Sequence, residues 1–530
     1  MTDNNTAVAK KQERFSLGIE LGSTRIKSVL LGPNCETLAT GGCEWRSSYI
    51  DGYWTYDLDD VWRAVQESFR SLREDFNARY GAELTRVGSL GISAMMHGYL
   101  AFNESGELLT GFRTWQNSTT QQAAEELTRL FGCNIPLRWS IAHLHQAVLE
   151  NEAHVPQIAF ITTLAGYVHF RLTGKHVLGI GDASGMFPID DDTRTYDAAM
   201  LEAYGRLVEK RNFRWTLGDI LPTVLAAGGE AGRLTDEGAR LLDPTGTLEA
   251  GALLAPPEGD AGTGMVATNS VRPRTANVSA GTSIFAMVVL DHPLASVHEE
   301  LDMVTTPAGD PVVMVHCNNG ANDLQDWVAL LGQAGRALGA DVTTDHLFRS
   351  LFSAALDGDD DAGGVISYNY RVGEPITDLN EGRPMVVRLP DAALSLPNFM
   401  RAQLYSTFAV LRLGFEILRG ENVDVDQLFA HGGMFRTPEV AQRFLAAALD
   451  VPVTVGGSAS EGGAWGMALL AAFMMHDEGD LSNWLDGEIF GDADQVTIEA
   501  DADEIAGFNR YMTRYVAGLC AQRAAVIAIP

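Results

Sequence analysis

The sequence contains few cysteines, and they are scattered. Its five cysteines, from Cys35 to Cys520, include no Cys-x-x-Cys pair. Because structural zinc sites and small disulfide-stapled folds depend on clustered cysteines, we expect neither here. A chain of 530 residues is long enough for two or more domains, each with a core of its own.

Long hydrophobic runs are also absent. The longest apolar run, residues 464–475, contains Gly466 and is shorter than the roughly 20 residues that a membrane-spanning helix needs. Residues 1–14 are polar and lack the apolar core of a signal peptide. We therefore expect a short disordered leader over residues 1–14 and a cytoplasmic protein.

Positive charge is scarce. The chain has 38 lysines and arginines against 69 aspartates and glutamates, which gives a net charge of −31. Such an acidic surface repels nucleic-acid phosphates and anionic lipid headgroups, so neither nucleic acid nor a membrane is an expected partner. Small molecules are the expected ligands, and a second copy of the chain, in a homodimer, is the one protein partner left open.

Several common catalytic motifs are missing, among them GxxxxGK[ST], HExxH, GxSxG and a kinase-type HRD. The sequence instead alternates strand and helix patterns. Residues 15–20 and 26–31 predict strands, residues 57–80 predict a helix capped by Asp59-Asp60, and residues 87–92 predict a buried strand. Residues 502–529 predict a closing helix. This alternation predicts an α/β fold.

One short pattern occurs twice, about half the chain apart. Strand-like runs flank Gly22-Ser23-Thr24, and similar runs flank Gly281-Thr282-Ser283. The repeat predicts two related lobes, with chance as the alternative because the match is short. Breaker-rich sequence around residues 255–275 places the boundary there, so we expect an N-terminal lobe at 15–268 and a C-terminal lobe at 269–530.

The residues of this pattern are suited to binding phosphate. A tight glycine–hydroxyl turn presents N–H groups and hydroxyls toward one point, although a single such turn is more often an ordinary hairpin. Glu20, just before the first turn, is a candidate Mg²⁺ ligand, and Lys27 adds a cation. Gly432-Gly433, followed by Arg436, lets a flat ligand approach the backbone.

Together these residues resemble the FGGY carbohydrate kinase family of the actin-like ATPase superfamily. The resemblance runs from about Leu17 to about Phe473. Its motifs are Glu20-Leu21-Gly22-Ser23-Thr24-Arg25-Ile26-Lys27, Ser279-Ala280-Gly281-Thr282-Ser283, Gly432-Gly433 and Gly463-Ala464-Trp465-Gly466-Met467-Ala468. It implies an α/β fold of two RNase H-like lobes with a central cleft, with ATP and Mg²⁺ as cofactors. ATP would then be bound by residues Gly22, Ser23, Thr24, Lys27, Gly281, Thr282, Ser283, Gly432, Gly433 and Arg436.

Within the family, two further motifs are similar to the xylulokinase branch. These are Met96-His97-Gly98 and Trp115-Gln116-Asn117. The resemblance implies that Met96, His97 and Gly98 contact the sugar and that Trp115 and Asn117 belong to the same wall. It also places the family's catalytic aspartate at Asp260, in Gly259-Asp260-Ala261-Gly262, where it would serve as general base and sit near the metal with Glu20.

The sequence departs from the family pattern at two positions. Glu20 stands where the family has aspartate, and Ala261 stands where an amide usually holds substrate. Asn319, in the cluster at residues 318–322, is a candidate to supply the missing amide to the sugar. The sequence therefore predicts an ATP-dependent kinase of a ketopentose such as xylulose. A polyol or aldonate kinase of the same fold, or an actin-like ATPase or sugar sensor without sugar phosphorylation, remains an alternative.

Overall fold

The computed structural model describes residues 11–456, 462–476, 479–491 and 495–529. Most of the expected leader at residues 1–14 lies outside these ranges. The chain forms two compact units, each built from three stretches. The N-terminal unit comprises Met1–Arg272, Asp302–Val312 and Ser460–Asp492, and the C-terminal unit comprises Pro273–Leu301, Val313–Ala459 and Ala493–Pro530.

The N-terminal unit is built on one mixed sheet. Its main strands lie in the order Leu253–Leu254, Ser89–Ala94, Ser16–Leu21, Arg25–Leu31 and Thr37–Glu44, and Glu258–Gly259 also pairs with Ser89–Ala94. Ser16–Leu21 runs antiparallel to the strand that follows it and parallel to Ser89–Ala94. These bounds confirm the strands predicted near residues 15–20, 26–31 and 87–92, within one or two residues.

The C-terminal unit repeats this arrangement. Thr275–Ala280 runs antiparallel to Ile284–Val289 and parallel to Gln427–His431, which in turn pairs in parallel with Val453–Gly456. Gln495–Ile498 adds an antiparallel edge strand to Val453–Gly456. The unit boundaries cut two further strands, Leu301–Thr305 and Pro311–Cys317. Because four strands share order and direction in both units, the repeat in the sequence reflects a structural duplication.

The longest helix of the N-terminal unit, Leu58–Tyr80, confirms the predicted helix and corrects its cap. The Asp57 carboxylate accepts the backbone N–H groups of Asp59 and Asp60, so Asp57 is the N-cap and the predicted pair lies in the first turn. The helix ends at Gly81, which has a φ of 62°. Its apolar positions at helical spacing are all buried in the core of this unit: Val61, Val65, Phe69, Leu72 and Phe76.

The remaining elements surround the two sheets. Other helices of the N-terminal unit are Gln121–Phe131, Ser140–Leu149, Leu164–Thr173, Ile180–Ser184, Ala198–Val208, Leu217–Ile220, Asp236–Leu242, Asp260–Ala267, Gly462–Phe473 and Leu481–Trp484. Its short strands are Ser48–Ile50, Tyr53–Thr55, Leu100–Phe102, Phe160–Thr162, Val177–Gly179, Ile189–Asp190, Thr195–Tyr196 and Thr223–Leu225. The C-terminal unit has helices Asn322–Ala337, Thr344–Ala354, Leu396–Gly420, Val440–Leu449 and Ala502–Ala528, with strands Val365–Tyr368 and Met385–Arg388. None of the helices within the described ranges has the length and apolar character needed to cross a membrane.

The helix Gly462–Phe473 packs unusually close to the N-terminal sheet. A Cβ atom on Gly18 would lie 2.2 Å from the carbonyl oxygen of Ala464 and 2.4 Å from the backbone nitrogen of Ala468. A Cβ atom on Gly466 would lie 2.0 Å from the carbonyl oxygen of Thr263 on the neighbouring helix. Glycine is therefore required on both sides for the backbones to meet at this distance.

Gly18→Ala should destabilise the protein, because the added methyl group overlaps helix backbone that has no room to move. Overpacking of this kind costs about 1–3 kcal/mol, so we expect a melting temperature several degrees lower. Gly205→Ala is the matched control, since Gly205 lies exposed in the helix Ala198–Val208 with open space around its Cβ position. Equal melting temperatures for Gly18→Ala and Gly205→Ala would contradict the close packing.

Candidate active site

Three neighbouring strands of the N-terminal unit bring polar residues to one edge of the sheet. In the parallel register Glu20 pairs with Ser93, and Ser93 also pairs with Glu258 on the next strand. All three residues lie at the carboxyl ends of their strands, where α/β sheets usually bind ligands. Asp260 follows directly after the strand Glu258–Gly259, as the first residue of the helix Asp260–Ala267. The sheet thus gathers three acidic residues at its ligand-binding edge.

Asp260 is a half-buried residue within this group. The backbone N–H of Met96 donates a hydrogen bond to its Oδ1 at 3.2 Å. Burial raises the pKa of Asp260 to about 6, although backbone N–H groups from Met96 and Ala261 act in the opposite direction. A carboxylate with a pKa near the working pH of an enzyme is suited to accept a proton.

Glu20 lies beside Asp260 and faces a lysine. Lys27 Nζ is 3.9 Å from Glu20 Oε2, which follows from their direct pairing across two antiparallel strands. The backbone N–H of Ala464 donates to the same oxygen at 3.3 Å. Burial raises the pKa of Glu20, Lys27 lowers it, and the charge of Asp260 raises it. Two carboxylates that disfavour each other's ionisation form an environment that a bound cation stabilises.

The residues at this edge fit a magnesium ion that is held mainly by phosphate and water. Among the residues that the structure describes, no three histidine, cysteine or acidic side chains are arranged to ligate a metal together. Mg²⁺ bound with a nucleotide commonly uses only one or two carboxylates and keeps several waters. Glu20 and Asp260 meet that requirement, and the substitution of glutamate for the family's aspartate leaves the carboxylate at the ligand-binding edge.

The turn at residues 22–24 is held in place by hydrogen bonds that its carbonyl groups accept. The Gly22 N–H donates to the Arg25 carbonyl at 3.1 Å and closes the turn. The indole Nε1–H of Trp45 donates to the Gly22 carbonyl at 2.7 Å, and the Tyr56 hydroxyl donates to the Ser23 carbonyl at 2.6 Å. The turn is consequently fixed in one orientation by two buried aromatic residues.

His97 is a buried, neutral imidazole in a strained backbone conformation. Its φ is 69°, and the φ of the following Gly98 is 92°. Burial, aided by the charge of Arg138, lowers the pKa of His97 to about 3. Its Nδ1 donates to the Gly185 carbonyl at 3.2 Å, which leaves Nε2 as a hydrogen-bond acceptor. The side chain therefore suits a hydroxyl donor better than an anion.

Trp115 and Asn117 differ in what they can offer a ligand. Trp115 is 39% exposed, whereas Asn117 is buried. The Asn117 Oδ1 accepts the N–H of Trp54 at 2.8 Å, and its Nδ2 donates to the carbonyls of Trp54 and Thr114. Since its amide is fully engaged with backbone, Asn117 is suited to positioning this wall rather than to contacting a sugar itself.

The corresponding turn of the C-terminal unit is held by a different set of atoms. Gly281 and Thr282 are exposed, and the Gly281 N–H donates to the Ser283 carbonyl at 3.0 Å. The N–H groups of Gly320 and Ala321 donate to the carbonyls of Thr282 and Gly281, both at 2.9 Å. Backbone replaces the aromatic residues that fix the first turn.

Asn319 belongs to the support of this second turn. It is buried, and its Oδ1 accepts the N–H groups of Arg371 and Val372 at 2.8 and 3.1 Å. Its Nδ2 donates to Glu374 Oε2 at 3.1 Å. Its amide is thus occupied within the unit, so Asn319 is poorly placed to replace the amide lost at Ala261. Sequence reasoning missed Glu374, because nothing in the sequence marks it as buried.

The paired glycines of the C-terminal unit lie on its surface. Gly432 has a φ of 114°, and a Cβ atom there would lie 2.3 Å from the Ala280 carbonyl oxygen. Gly433 begins the short 3₁₀ helix Gly433–Arg436, and Gly432, Gly433 and Arg436 are all exposed. Only glycine allows the chain to pass this close to the strand that leads into the second turn.

Two buried carboxyl groups next to Asp260 have no assigned role from the sequence motifs. Glu258 accepts the N–H groups of Gly181 and Asp182 at 3.3 and 2.9 Å, and burial raises its pKa to about 8. Asp182 accepts the Thr163 hydroxyl at 2.6 Å, and burial raises its pKa to about 7. Asp182 therefore lies buried behind Asp260, whose charge also raises its pKa.

The fold and these sites together indicate a class of protein. Each of the two duplicated α/β units has a glycine–hydroxyl turn after its first strand, and such a turn can bind phosphate groups. The sequence model described as the FGGY family of carbohydrate kinases, N-terminal domain, matches residues 15–247, and that of the C-terminal domain matches residues 276–475. The chain belongs to the FGGY family of carbohydrate kinases.

Curated relatives are distant. A xylulose kinase from Klebsiella pneumoniae is 23% identical over 479 residues, which cover 88% of this chain and 91% of that protein. A glycerol kinase from Thermococcus gammatolerans is 22% identical over 258 residues, 44% of this chain. The chain spans about half the length of that glycerol kinase (50%). These relatives differ in substrate, so family membership leaves the substrate open.

Solved structures show the same fold over nearly the whole chain. The ligand-bound xylulose kinase from Lactobacillus acidophilus has a TM-score of 0.78 at 19% identity, covering 97% of this chain and 99% of that one. A gluconate kinase from the same organism has a TM-score of 0.77 at 20% identity, covering 97% of this chain and 98% of that one. The expected two-lobed α/β fold is thereby confirmed.

Glu258→Gln tests the cost of burying this carboxyl group. Its pKa rises from 4.5 to about 8 on folding, so its stabilising contribution is complete below about pH 4.5 and is lost as the pH rises through 8. The variant should therefore show a smaller fall in melting temperature between about pH 5 and about pH 8 than the wild type. Glu237→Gln, on an exposed helix start, should keep the wild-type pH dependence. A fall as steep in Glu258→Gln as in the wild type would contradict the assignment.

Proposed function

We propose that the protein is an ATP-dependent sugar kinase that transfers the γ-phosphate to a primary hydroxyl of a ketopentose such as xylulose. The observation that carries this proposal is the placement of Asp260. Asp260 is a half-buried residue whose pKa burial raises to about 6, and it lies beside Glu20 on the same sheet edge as the turn at residues 22–24. That combination is what a general base for phosphoryl transfer requires.

In the proposed reaction, the oxygen of the sugar hydroxyl attacks the γ-phosphorus, and Asp260 accepts the proton of that hydroxyl. The new phosphorus–oxygen bond forms while the bond to the β–γ bridging oxygen breaks, and ADP leaves with that electron pair. Bound Mg²⁺ would neutralise phosphate charge near Glu20 and Asp260. Lys27 adds a cation, and Thr24 contributes a hydroxyl at an exposed position on the turn. Positioning and charge stabilisation supply most of the rate in such transfers.

The nucleotide would be bound largely by the C-terminal unit. Gly281, Thr282 and Ser283 would hold phosphate oxygens, and Gly432-Gly433 with Arg436 would line the nucleoside side. Except for Ser283, which is half-buried, these residues are exposed. On this proposal, residues 15–268 and 269–530 form the two family domains, and Gly22, Ser23 and Thr24 contribute a second phosphate-binding turn.

The sugar-side residues favour a neutral ketose over an aldonate. The neutral His97 offers an acceptor to a hydroxyl, and the exposed Trp115 offers an apolar face. Arg138, whose charge lowers the pKa of His97, already pairs with Asp302. Because Arg138 is already paired, it is not available to an aldonate carboxylate, whereas a ketopentose would need only hydroxyl partners. Met96 and Gly98 would complete the wall, and Asn117 would position it.

The proposed setting is the cytoplasm, with ATP and sugar as partners and neither nucleic acid nor membrane. All five cysteines are free thiols in the structure, as is usual in a reducing compartment. The acidic net charge of −31 argues against polyanionic partners. A homodimer is compatible with this proposal and is tested by measuring the mass of the native protein in solution.

The substrate is tested by comparing kcat/KM for D-xylulose, L-xylulose, D-ribulose and L-ribulose with that for glycerol and gluconate, monitored by ADP release. We expect a ketopentose to be the best substrate, because the neutral His97 suits a hydroxyl and Arg138 is already paired. If glycerol or gluconate exceeds every ketopentose tenfold, the substrate class is wrong. If no sugar changes the rate of ATP hydrolysis, the protein is an ATPase or a sensor instead.

Asp260→Asn should leave the fold intact and lower kcat by about 10²–10⁴-fold, the usual contribution of a general base. In the wild type, kcat/KM should fall below about pH 6, because protonated Asp260 cannot accept a proton. Asp236→Asn is the matched control, since Asp236 is also the first residue of a helix but is exposed. Turnover by Asp260→Asn close to that of Asp236→Asn would overturn the assignment.

A further inference from the structure

A continuous segment of the N-terminal unit contacts both the phosphate-binding turn and the proposed sugar wall. We call residues 45–56 the strap. It leaves the strand Thr37–Glu44, forms a hairpin from Ser48–Ile50 and Tyr53–Thr55, and ends before the helix Leu58–Tyr80. None of its residues belongs to the phosphate-binding or sugar-binding motifs found in the sequence.

The two ends of the strap bind three successive carbonyls of the turn. Trp45 donates from its indole to the Gly22 carbonyl at 2.7 Å and from its backbone N–H to the Thr24 carbonyl at 3.1 Å. Tyr56 donates from its hydroxyl to the Ser23 carbonyl at 2.6 Å. The two rings stack, with centroids 4.2 Å apart and planes at 27°, and both side chains are buried.

Fixing these carbonyls also fixes the N–H groups of the turn. A trans peptide unit is planar, and its carbonyl and the following N–H point in opposite directions. When the carbonyls of Gly22 and Ser23 are held by the strap, the N–H groups of Ser23 and Thr24 are turned to the other side. Consecutive N–H groups on one side form the concave anion-binding arrangement that phosphate oxygens need.

The middle of the strap is itself held firmly. The N–H and carbonyl of Trp54 both bond to the Asn117 amide at 2.8 Å, and the Thr114 N–H donates to the same carbonyl at 3.2 Å. The Arg113 guanidinium lies 4.6 Å from the centre of the Tyr53 ring. A support whose own hydrogen bonds are satisfied can preorganise the groups it contacts.

We infer that Trp45 and Tyr56 are positioning residues for the phosphate groups of ATP. They act through the carbonyls of the turn, so they control how well the turn receives phosphate rather than how the sugar binds. This inference rests on the proposed function only in taking ATP as the ligand of the turn. On this inference, the phosphate-binding shape of the turn depends on the strap as well as on the sequence of the turn.

Tyr56→Phe isolates the hydroxyl and keeps the stacked ring. One lost hydrogen bond should weaken binding of Mg²⁺ with a non-hydrolysable ATP analogue by about 2–10-fold, measured by titration calorimetry. The kcat/KM for ATP should fall by a similar factor, while the KM for the sugar stays within about twofold. Trp45→Phe removes a second hydrogen bond to the turn and should act in the same direction.

Tyr204→Phe is the matched control. Tyr204 is fully buried in the same unit, and its hydroxyl has no hydrogen-bond partner among the residues that the structure describes. Removing that hydroxyl should leave nucleotide binding and both KM values unchanged. A purely structural role of Tyr56 would lower the melting temperature and affect both substrates equally, and that result would overturn the inference.

The titration also separates this inference from the proposed function. If no sugar is phosphorylated but the wild type binds the nucleotide analogue more tightly than Tyr56→Phe and Trp45→Phe do, the sugar kinase proposal fails and the strap inference stands. If both variants bind the analogue as the wild type does, the strap inference is wrong whatever the substrate. Absence of any nucleotide binding by the wild type would overturn both.

Discussion

The candidate site of the N-terminal unit depends on one feature, the carboxyl groups that the fold brings together at one sheet edge. Strand register brings Glu20 and Glu258 to this edge, Asp260 follows at the start of the next helix, and Asp182 joins them from a short helix. Desolvation raises the pKa of all four, which means that the fold accepts an electrostatic cost at this edge. Lys27 and backbone N–H groups offset only part of it. A cation and a substrate proton are the natural ways to relieve such a cost, and both belong to phosphoryl transfer.

Close backbone packing makes this edge geometrically possible. Gly18 and Gly466 allow the helix Gly462–Phe473 to meet the first strand and the helix Asp260–Ala267 at distances that exclude any side chain. As a result, the N–H of Ala464 reaches the Glu20 carboxylate, and a Cβ atom on Gly463 would lie 2.5 Å from Glu20 Oε1. The small residues that mark this helix in the sequence are therefore explained by packing, and through that packing they also position the candidate metal ligand.

The sequence predicted the parts that depend on local patterns. Strand bounds, the helix Leu58–Tyr80 and the duplicated turns followed from hydrophobic spacing and repeated glycine–hydroxyl motifs. It could not predict which polar side chains are free. Asn117 and Asn319 sit in motifs that suggest ligand contacts, yet partners distant in sequence occupy their amides. Glu374 was missed for the same reason. It is buried and bonded to Asn319, which lies 55 residues away in the sequence. The N-cap at Asp57 lies two residues before the predicted pair, so even a local feature was placed only approximately.

The two turns differ in what holds them, and this difference bears on what the duplication preserves. In the N-terminal unit two aromatic side chains bind the turn carbonyls, whereas in the C-terminal unit the backbone of Gly320 and Ala321 does so. The supporting groups of the two turns are not equivalent. In both units, however, the carbonyls of the turn accept hydrogen bonds from the protein. Because peptide planarity couples each carbonyl to the next N–H, either support leaves N–H groups oriented for an anion. The repeated feature is thus a backbone orientation. Sequence motifs record the glycine and hydroxyl residues that permit it, while the residues that enforce it vary with each unit's own packing.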